Sequence, residues 1–519
     1  MSASEQPKNP PRSLGSVLGS IGPGLIIAGA IVGSGELIGT TKTGADAGFW
    51  LLWLIIIGCV IKVFTQIEFG RYALTTGKTT LQGLNELPGP RLRVNWIIWY
   101  WVIMFLASTA QQGGIVGGVG QALAMTKPLT EEGRAFNDYQ DTSTQRDVVT
   151  ALLSRARQEK EQISERMDPV RLQQQLDSLN ERLETIGAPP EAHDDILWAI
   201  LITLVTSVAL VIGRYGTMQI LSTILVGAFT CITIWNLYAL QGLAEWRVSF
   251  TDLRDGLSFR LPPTDGAGGR SPITTALATF GIIGVGATEL ITYPYWCIEK
   301  GYAAWTGPRE KTLEWGRRAR GWLRVLKWDA WLSSVVYTCA TVIFYLLGAA
   351  VLGRTGLNPE GSQMIRTLAE MYVPVFGPTA QIIFLFGAIA VLYSTFFLST
   401  AGNARVAADS LRVIGLVADD ERTIRFWKTV LSGLFPIVSL LVYIFVRAPV
   451  ALVLLSGLTQ AIMLPMLAGA ALFFRYRRCD EALKPGKIWD VLLWISCVGL
   501  LLAGSWALLS HLGPMLGKP

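Results

Sequence analysis

The sequence predicts an all-α integral membrane protein of eleven spans, with a helical hairpin inserted between the third and fourth. Three observations carry that expectation. Hydrophobic residues make up 51% of the 519 residues and charged ones only 16%, whereas soluble domains hold about 25% charged residues. Long apolar runs recur along the chain, each able to supply the roughly 20 apolar residues that a spanning helix needs. One segment, 126–194, interrupts the pattern with dense charge. An ordinary soluble enzyme is excluded, and so is a nucleic-acid partner, despite a net charge of +6. Six scattered cysteines without a CxxC pair, and only two histidines, His193 and His511, argue against a disulfide framework and a His-rich metal site. The expected partner over most of the surface is a lipid bilayer.

The elements follow in order. Residues 1–20 are polar and Pro-rich and read as a cytoplasmic tail. They are not expected to be a cleaved leader, because the next apolar run is long enough to span and holds a glycine break. Spans one to three fall near 22–44, 49–73 and 95–124, within a 21–125 segment. Spans four and five fall near 195–213 and 217–241, with an outer loop completing a 195–272 segment. Spans six to ten, near 273–300, 328–353, 378–402, 425–446 and 449–474, make up 273–474. The final segment, 475–519, holds a loop and span eleven near 488–511. With the N-terminus inside, the cytoplasmic loops and span ends hold 25 of the 44 Lys and Arg. The positive-inside bias therefore places the N-terminus in the cytoplasm and the C-terminus outside, and the expected membrane is the plasma (inner) membrane. Residues 300–328 mix Arg317, Arg318, Arg320 and Arg324 with Trp305, Trp315, Trp322 and Trp328. They read as an amphipathic helix lying on the anionic leaflet.

The insertion carries nine Lys and Arg against fifteen Asp and Glu over 126–195. Leu172, Leu176, Leu179, Leu183 and Ile186 form a coiled-coil seam. Asp168 before Pro169 is a helix start signal. Val148, Leu152, Ile163 and Met167 supply a partner seam. The reading is a soluble helical hairpin on the outer face, which either packs on itself or contacts another protein.

The strongest signal is a repeated motif. Gly-x-x-Glu-Leu-Ile occurs at 33–38 in span one and at 286–291 in span six, each time after a glycine-rich apolar stretch. Glycine-interrupted segments at corresponding places in two halves point to a transporter binding site. Glycine tolerates an unwound backbone. Unwinding frees carbonyls, which favour a cation at the end of the first half-helix. A carboxylate there adds full charge, and an isolated one at mid-membrane costs roughly 2.5–3.5 kcal/mol. Glu36 and Glu289 are therefore the candidate charged ligands of a cation, with Gly33, Gly35, Gly286 and Ala287 as the unwound backbone beside them. Thr288, Gln111, Gln112, Ser394 and Thr395 are candidates for the path. Lys62, a charge inside span two, either neutralises a site carboxylate, pairs with Glu68, or lines a polar path.

These residues resemble the Nramp family of divalent metal transporters. Gly22-Pro23-Gly24-Leu25 is similar to the opening of the family's first broken helix. Gly286-Ala287-Thr288 is similar to the stretch before its span-six Met-Pro-His. Ser394 to Gly402, and Leu464-Pro465, resemble its spans eight and ten. The resemblance implies a LeuT-type fold, an inverted repeat of five plus five spans with an eleventh appended. Departures fall on the functional positions. Gly33-Ser34-Gly35-Glu36 stands where the family has Asp-Pro-Gly-Asn, and Leu290-Ile291-Thr292 where it has Met-Pro-His. The family's span-three acids fall at Thr109 and Gln112, and its span-ten glutamine at Met463. Of its ligand set only Ala287 remains, with Glu36 as a substitute. Without a thioether, carboxylates and carbonyls suit a hard ion such as Mg²⁺ or Mn²⁺. The expectation is a secondary transporter of a divalent cation, which is cargo, so no resident cofactor is expected. Two other readings stand beside it: a proton- or sodium-coupled symporter of an organic cation or amino acid, and a non-transporting scaffold or sensor that presents the hairpin.

Overall fold

The computed structural model describes residues 7–158, 168–213, 215–263 and 271–515. Among them, ten helical segments are long and apolar enough to cross a membrane, matching ten of the eleven expected spans. The remaining one, span five, is the helix Tyr215–Leu240, whose described apolar stretch is Ile224–Leu240. Spans one and six are wrapped by the others, while spans four and nine face outward along most of their length. Span three packs on spans four, eight, nine and ten, span six on span ten, and span two on span seven.

Span one starts at Pro23, whose missing N–H suits the first helical turn. The carboxylate of Asp329, in span seven, accepts from Gly22 N at 2.9 Å and Gly24 N at 2.6 Å. Tyr293 Oη donates to the same group at 3.0 Å. A Cβ at Gly24 would lie 2.5 Å from Asp329 O, so the glycine there is a matter of close approach. The first half, Pro23–Ile31, gives way at Val32–Gly33 to a π-helical stretch, Ser34–Thr40, and then to Thr41–Ala47. Span six repeats the interruption, with helices Pro272–Ile282 and Ala287–Lys300 on either side of 283–286. A Cβ at Gly281 would lie 1.9 Å from Gly457 O, so the first half of span six and span ten meet backbone to backbone.

The segment 300–328 differs from the expectation of a separate leaflet-bound helix. A short helix, Tyr302–Thr306, precedes one continuous helix, Leu313–Leu347, that carries directly into span seven. Trp315 and Trp322 are buried, and Trp322 and Trp305 pack at 4.7 Å between ring centroids. Trp305 and Trp322 thus form an internal cluster with Tyr302, while Trp328, Arg317, Arg320 and Arg324 take the exposed side. Lys8 N donates to Trp305 O and Trp322 Nε1 to Lys8 O, both at 2.9 Å. Arg309 pairs with Asp480 at 2.8 Å. The N-terminal stretch and the basic loops after spans six and ten therefore gather on one face.

In the insertion, helices Glu131–Gln158 and Pro169–Ile186 pack antiparallel. Arg182 meets Asp138 near one end and Arg157 donates to Gln173 at 3.0 Å near the other. Asp168 caps the second helix by accepting from Val170 N at 3.0 Å. The buried seam is Leu153, Ala156 and Leu172, flanked by Val149, Leu152 and Leu176. Leu179, Leu183 and Ile186 are half-buried. Val148 instead lines a cavity against Trp246 and Val373–Phe376 of the bundle, and Ile163 and Met167 lie outside the described residues. The hairpin is tied down rather than free-standing. Asp194 accepts from Leu129 N at 2.5 Å and Thr130 Oγ1 at 2.6 Å. Arg366, on the loop between spans seven and eight, donates to Asp141 at 2.6 Å and Asn137 at 3.1 Å.

Glu370 sits on that same loop beside Arg366 and Asp141. Burial first, and then the Asp141 charge, push its carboxyl up from 4.5 to about 7. A carboxyl raised in the folded state gives stability that is full below its unfolded value and lost as pH rises through about 7. The melting temperature is therefore expected to fall between pH 5.5 and pH 8, and Glu370→Gln to flatten that fall, as measured by thermal unfolding of both proteins.

Candidate functional site

In the span-one break, the carbonyls freed by unwinding are taken up by span eight. Ser394 Oγ donates to Gly29 O at 3.3 Å, and Thr395 Oγ1 contacts Gly29 O at 3.5 Å and Val32 O at 3.4 Å. Gly33 has extended backbone, φ −173°, open to any residue. What requires glycine is space, since a Cβ would lie 1.9 Å from Thr395 Oγ1. Ser394 and Thr395, expected along the path, therefore sit behind the break and seal it, each about 1% exposed.

In the span-six break, Gly284 is left-handed at φ +56°, and a Cβ there would lie 3.0 Å from Cys59 Cα. The freed carbonyls of Phe280 and Ile283 accept from the buried ammonium of Lys62, the latter at 2.8 Å. Lys62 does not pair with Glu68, which faces Arg71 at 3.1 Å and Trp489 Nε1 at 2.6 Å. Gly286 is squeezed between two oxygens: a Cβ would lie 2.5 Å from Glu289 Oε2 and 2.9 Å from Gln460 Oε1. Ala287 opens the second half-helix and is fully buried.

A polar chain joins the two breaks. Gln111 Nε2 donates to Ser34 Oγ at 3.0 Å. Gln111 Oε1 accepts from Ser456 Oγ at 2.9 Å and Gln460 Nε2 at 3.0 Å. Gln460 Oε1 accepts from Thr288 N at 3.1 Å. Gln460 is the site residue that sequence reasoning missed. The glutamine of span ten lies one turn before Met463, which is buried in the apolar core. The same chain encloses a small cavity with about 10 Å³ of free space, lined by Ser34, Gly35, Gln111, Gln112, Thr288 and Glu289. Ser108, Ser399 and Asn403 complete its polar wall. Thr109 does not reach it; its hydroxyl returns to Phe105 O at 3.1 Å.

The two glutamates part company here. Glu289 is the ionisable side chain on the cavity wall. Glu36 is not on that wall; it is fully buried against the span-six break and span seven, with Oε1 accepting from Thr341 Oγ1 at 3.1 Å and Gly284 N at 3.3 Å. Its Oε2 has no partner among the described residues. Thr288 Oγ1 and Gln112 Oε1 are likewise buried and unpartnered. No three His, Cys, Asp or Glu side chains converge among the described residues. The donor set is thus one carboxylate with neutral hydroxyl and amide oxygens, free of sulfur and imidazole. It fits a hard cation, and poorly fits a soft one.

The profile of natural resistance-associated macrophage protein-like (Nramp) chains matches residues 24–131, which hold the first broken helix and the span-three glutamines. Over that stretch the chain is similar to the Nramp family. A variant of the Eremococcus coleocola manganese transporter superposes with a TM-score of 0.61 at 14% identity, covering 100% of this chain and 92% of that one. The same transporter in complex with an aromatic bis-isothiourea substituted compound gives 0.57 at 13%. The chain therefore shares the fold of that manganese transporter over its whole length. In sequence, an uncharacterized protein of Pasteurella multocida is 38% identical over 69 residues, so the match spans 13% of this chain and 16% of that one.

Proposed function

We propose that this Nramp-related chain is a secondary transporter that carries a divalent cation by alternating access, with Mn²⁺ favoured over Mg²⁺ and over soft transition metals. The observation that supports it is the cavity between the two breaks. About 10 Å³ of free space is roughly one water-sized particle, which is room for an ion and far too little for an amino acid or organic cation. Mg²⁺ gives up its waters reluctantly, so a cavity this small disfavours it relative to Mn²⁺. Glu289 supplies the charge, and Thr288, Gln112, Ser34 and Asn403 the neutral oxygens. The manganese transporter of similar fold agrees with a divalent ion. The membrane is the plasma (inner) membrane, with the face that gathers residues 7–20, 300–328 and 475–487 in the cytoplasm and the hairpin outside. The orientation follows from the positive-inside rule.

The test is uptake into proteoliposomes. Mn²⁺ is expected to accumulate without any organic solute and to outcompete equimolar Mg²⁺. Uptake that requires an amino acid or organic cation would replace this reading with an organic symporter. Absence of any flux, with the hairpin still folded, would favour a scaffold.

A further inference from the structure

The two breaks neutralise their freed carbonyls by different chemistry. In span one the groups on Gly29 O and Val32 O are neutral hydroxyls. In span six the group on Phe280 O and Ile283 O is a full positive charge. Lys62 is 0% exposed and lies 4.7 Å from the centroid of the Phe280 ring, so an aromatic face closes over the ammonium. The carboxyl groups that act on it through space are those of Glu36 and Glu289. The carbonyl end of a half-helix carries about half a negative charge and attracts a cation. Here that cation is covalently part of the protein.

We infer that Lys62 is the fixed cation of the span-six break, standing where a dissociable monovalent cation would otherwise bind, so that the divalent ion beside Glu289 moves without a monovalent ion at this position. The inference deepens the transport reading and rests on it for its consequence. A buried ammonium held by two carbonyls cannot exchange with solvent cations, so occupancy of the position is independent of their concentration. Its charge also opposes that of Glu289, which lowers the affinity of the cavity for any cation and favours release. Removing the charge while keeping the stem therefore tightens divalent binding, and removing the whole side chain opens the position to a small cation.

The experiment uses the purified full chain and two variants, Lys62→Ala and Lys62→Met. Melting temperature is read against increasing Na⁺, K⁺ and methylammonium, with choline as a cation too large for the space. The wild type is expected to be indifferent to all four at constant ionic strength. Lys62→Ala is expected to gain a saturable stabilisation by at least one of the three small cations and none by choline. Lys62→Met is expected to remain indifferent to monovalent cations and to bind Mn²⁺ about tenfold or more tightly than the wild type, since one like charge has been removed from a low-dielectric site. A Lys62→Ala protein indifferent to every monovalent cation, or a Lys62→Met protein that binds Mn²⁺ no more tightly than the wild type, would overturn the inference and leave Lys62 a packing residue. Should Lys62→Ala fail to fold, the Mn²⁺ affinity of Lys62→Met decides alone. The melting readout does not depend on flux, so a wild type without Mn²⁺ uptake would sink the transport reading separately.

Discussion

Glu289→Gln is expected to weaken Mn²⁺ binding by about 100-fold or more, which is roughly 2.7 kcal/mol. The reason is the composition of the cavity wall, where Glu289 is the ionisable side chain among hydroxyls and amides. Glutamine keeps the shape and one carbonyl oxygen, so the loss reports charge rather than packing. Glu36→Gln is expected to behave differently, changing Mn²⁺ affinity by less than about tenfold. Its carboxylate faces Gly284 N and Thr341 Oγ1, away from the cavity, and a glutamine Oε1 accepts from both. A charge one helix away from the ion acts over a longer distance and loses strength accordingly. Isothermal titration of the two variants beside the wild type checks the contrast. Equal losses in both would mean that the two carboxylates share one ion.

Gln460→Leu is expected to reduce Mn²⁺ uptake at least tenfold while leaving the protein folded. The side chain is the joint between the breaks, accepting from Thr288 N and donating to Gln111 Oε1. Leucine strands the Thr288 N–H, and an unsatisfied buried group costs about 1–3 kcal/mol. That cost falls on the two half-helices whose positions shape the cavity. Gln460→Glu keeps an acceptor for Thr288 N and is expected to retain more activity than Gln460→Leu. Comparing initial uptake rates of the two in proteoliposomes, at matched protein content, tests the assignment. Equal rates for leucine and wild type would remove Gln460 from the site.

Much of this architecture was legible in the residues. Apolar runs mark spans because a backbone in lipid must satisfy its own hydrogen bonds, which forces helices of a set length. The glycines of the two breaks were legible for the same reason, since unwinding at membrane depth needs residues without side chains. The division between Glu36 and Glu289 was not. Both sit in Gly-x-x-Glu-Leu-Ile, and an identical motif implies an identical place. In span six the motif runs into a regular helix from Ala287, which keeps Glu289 on the cavity side. In span one it runs through the π-helical stretch Ser34–Thr40. That wider turn rotates the side chains relative to an α-helix and turns Glu36 off the cavity wall toward Gly284 N and Thr341. Gln460 was missed because Met463 stands nearer to Leu464-Pro465, and a shift of one helical turn leaves the face unchanged but not the residue. The partners of Lys62 were invisible for another reason. They are backbone carbonyls about 220 positions away, and only the fold brings a freed carbonyl to a side chain.

The most direct test of the central claim is anomalous diffraction from crystals of the protein grown with Mn²⁺. One strong peak is expected in the cavity between the two breaks, within bonding distance of Glu289 and of oxygens from Thr288, Ser34, Gln112 or Asn403. A peak bonded instead to Glu36, a peak only on the protein surface, or no peak at saturating Mn²⁺ would contradict it.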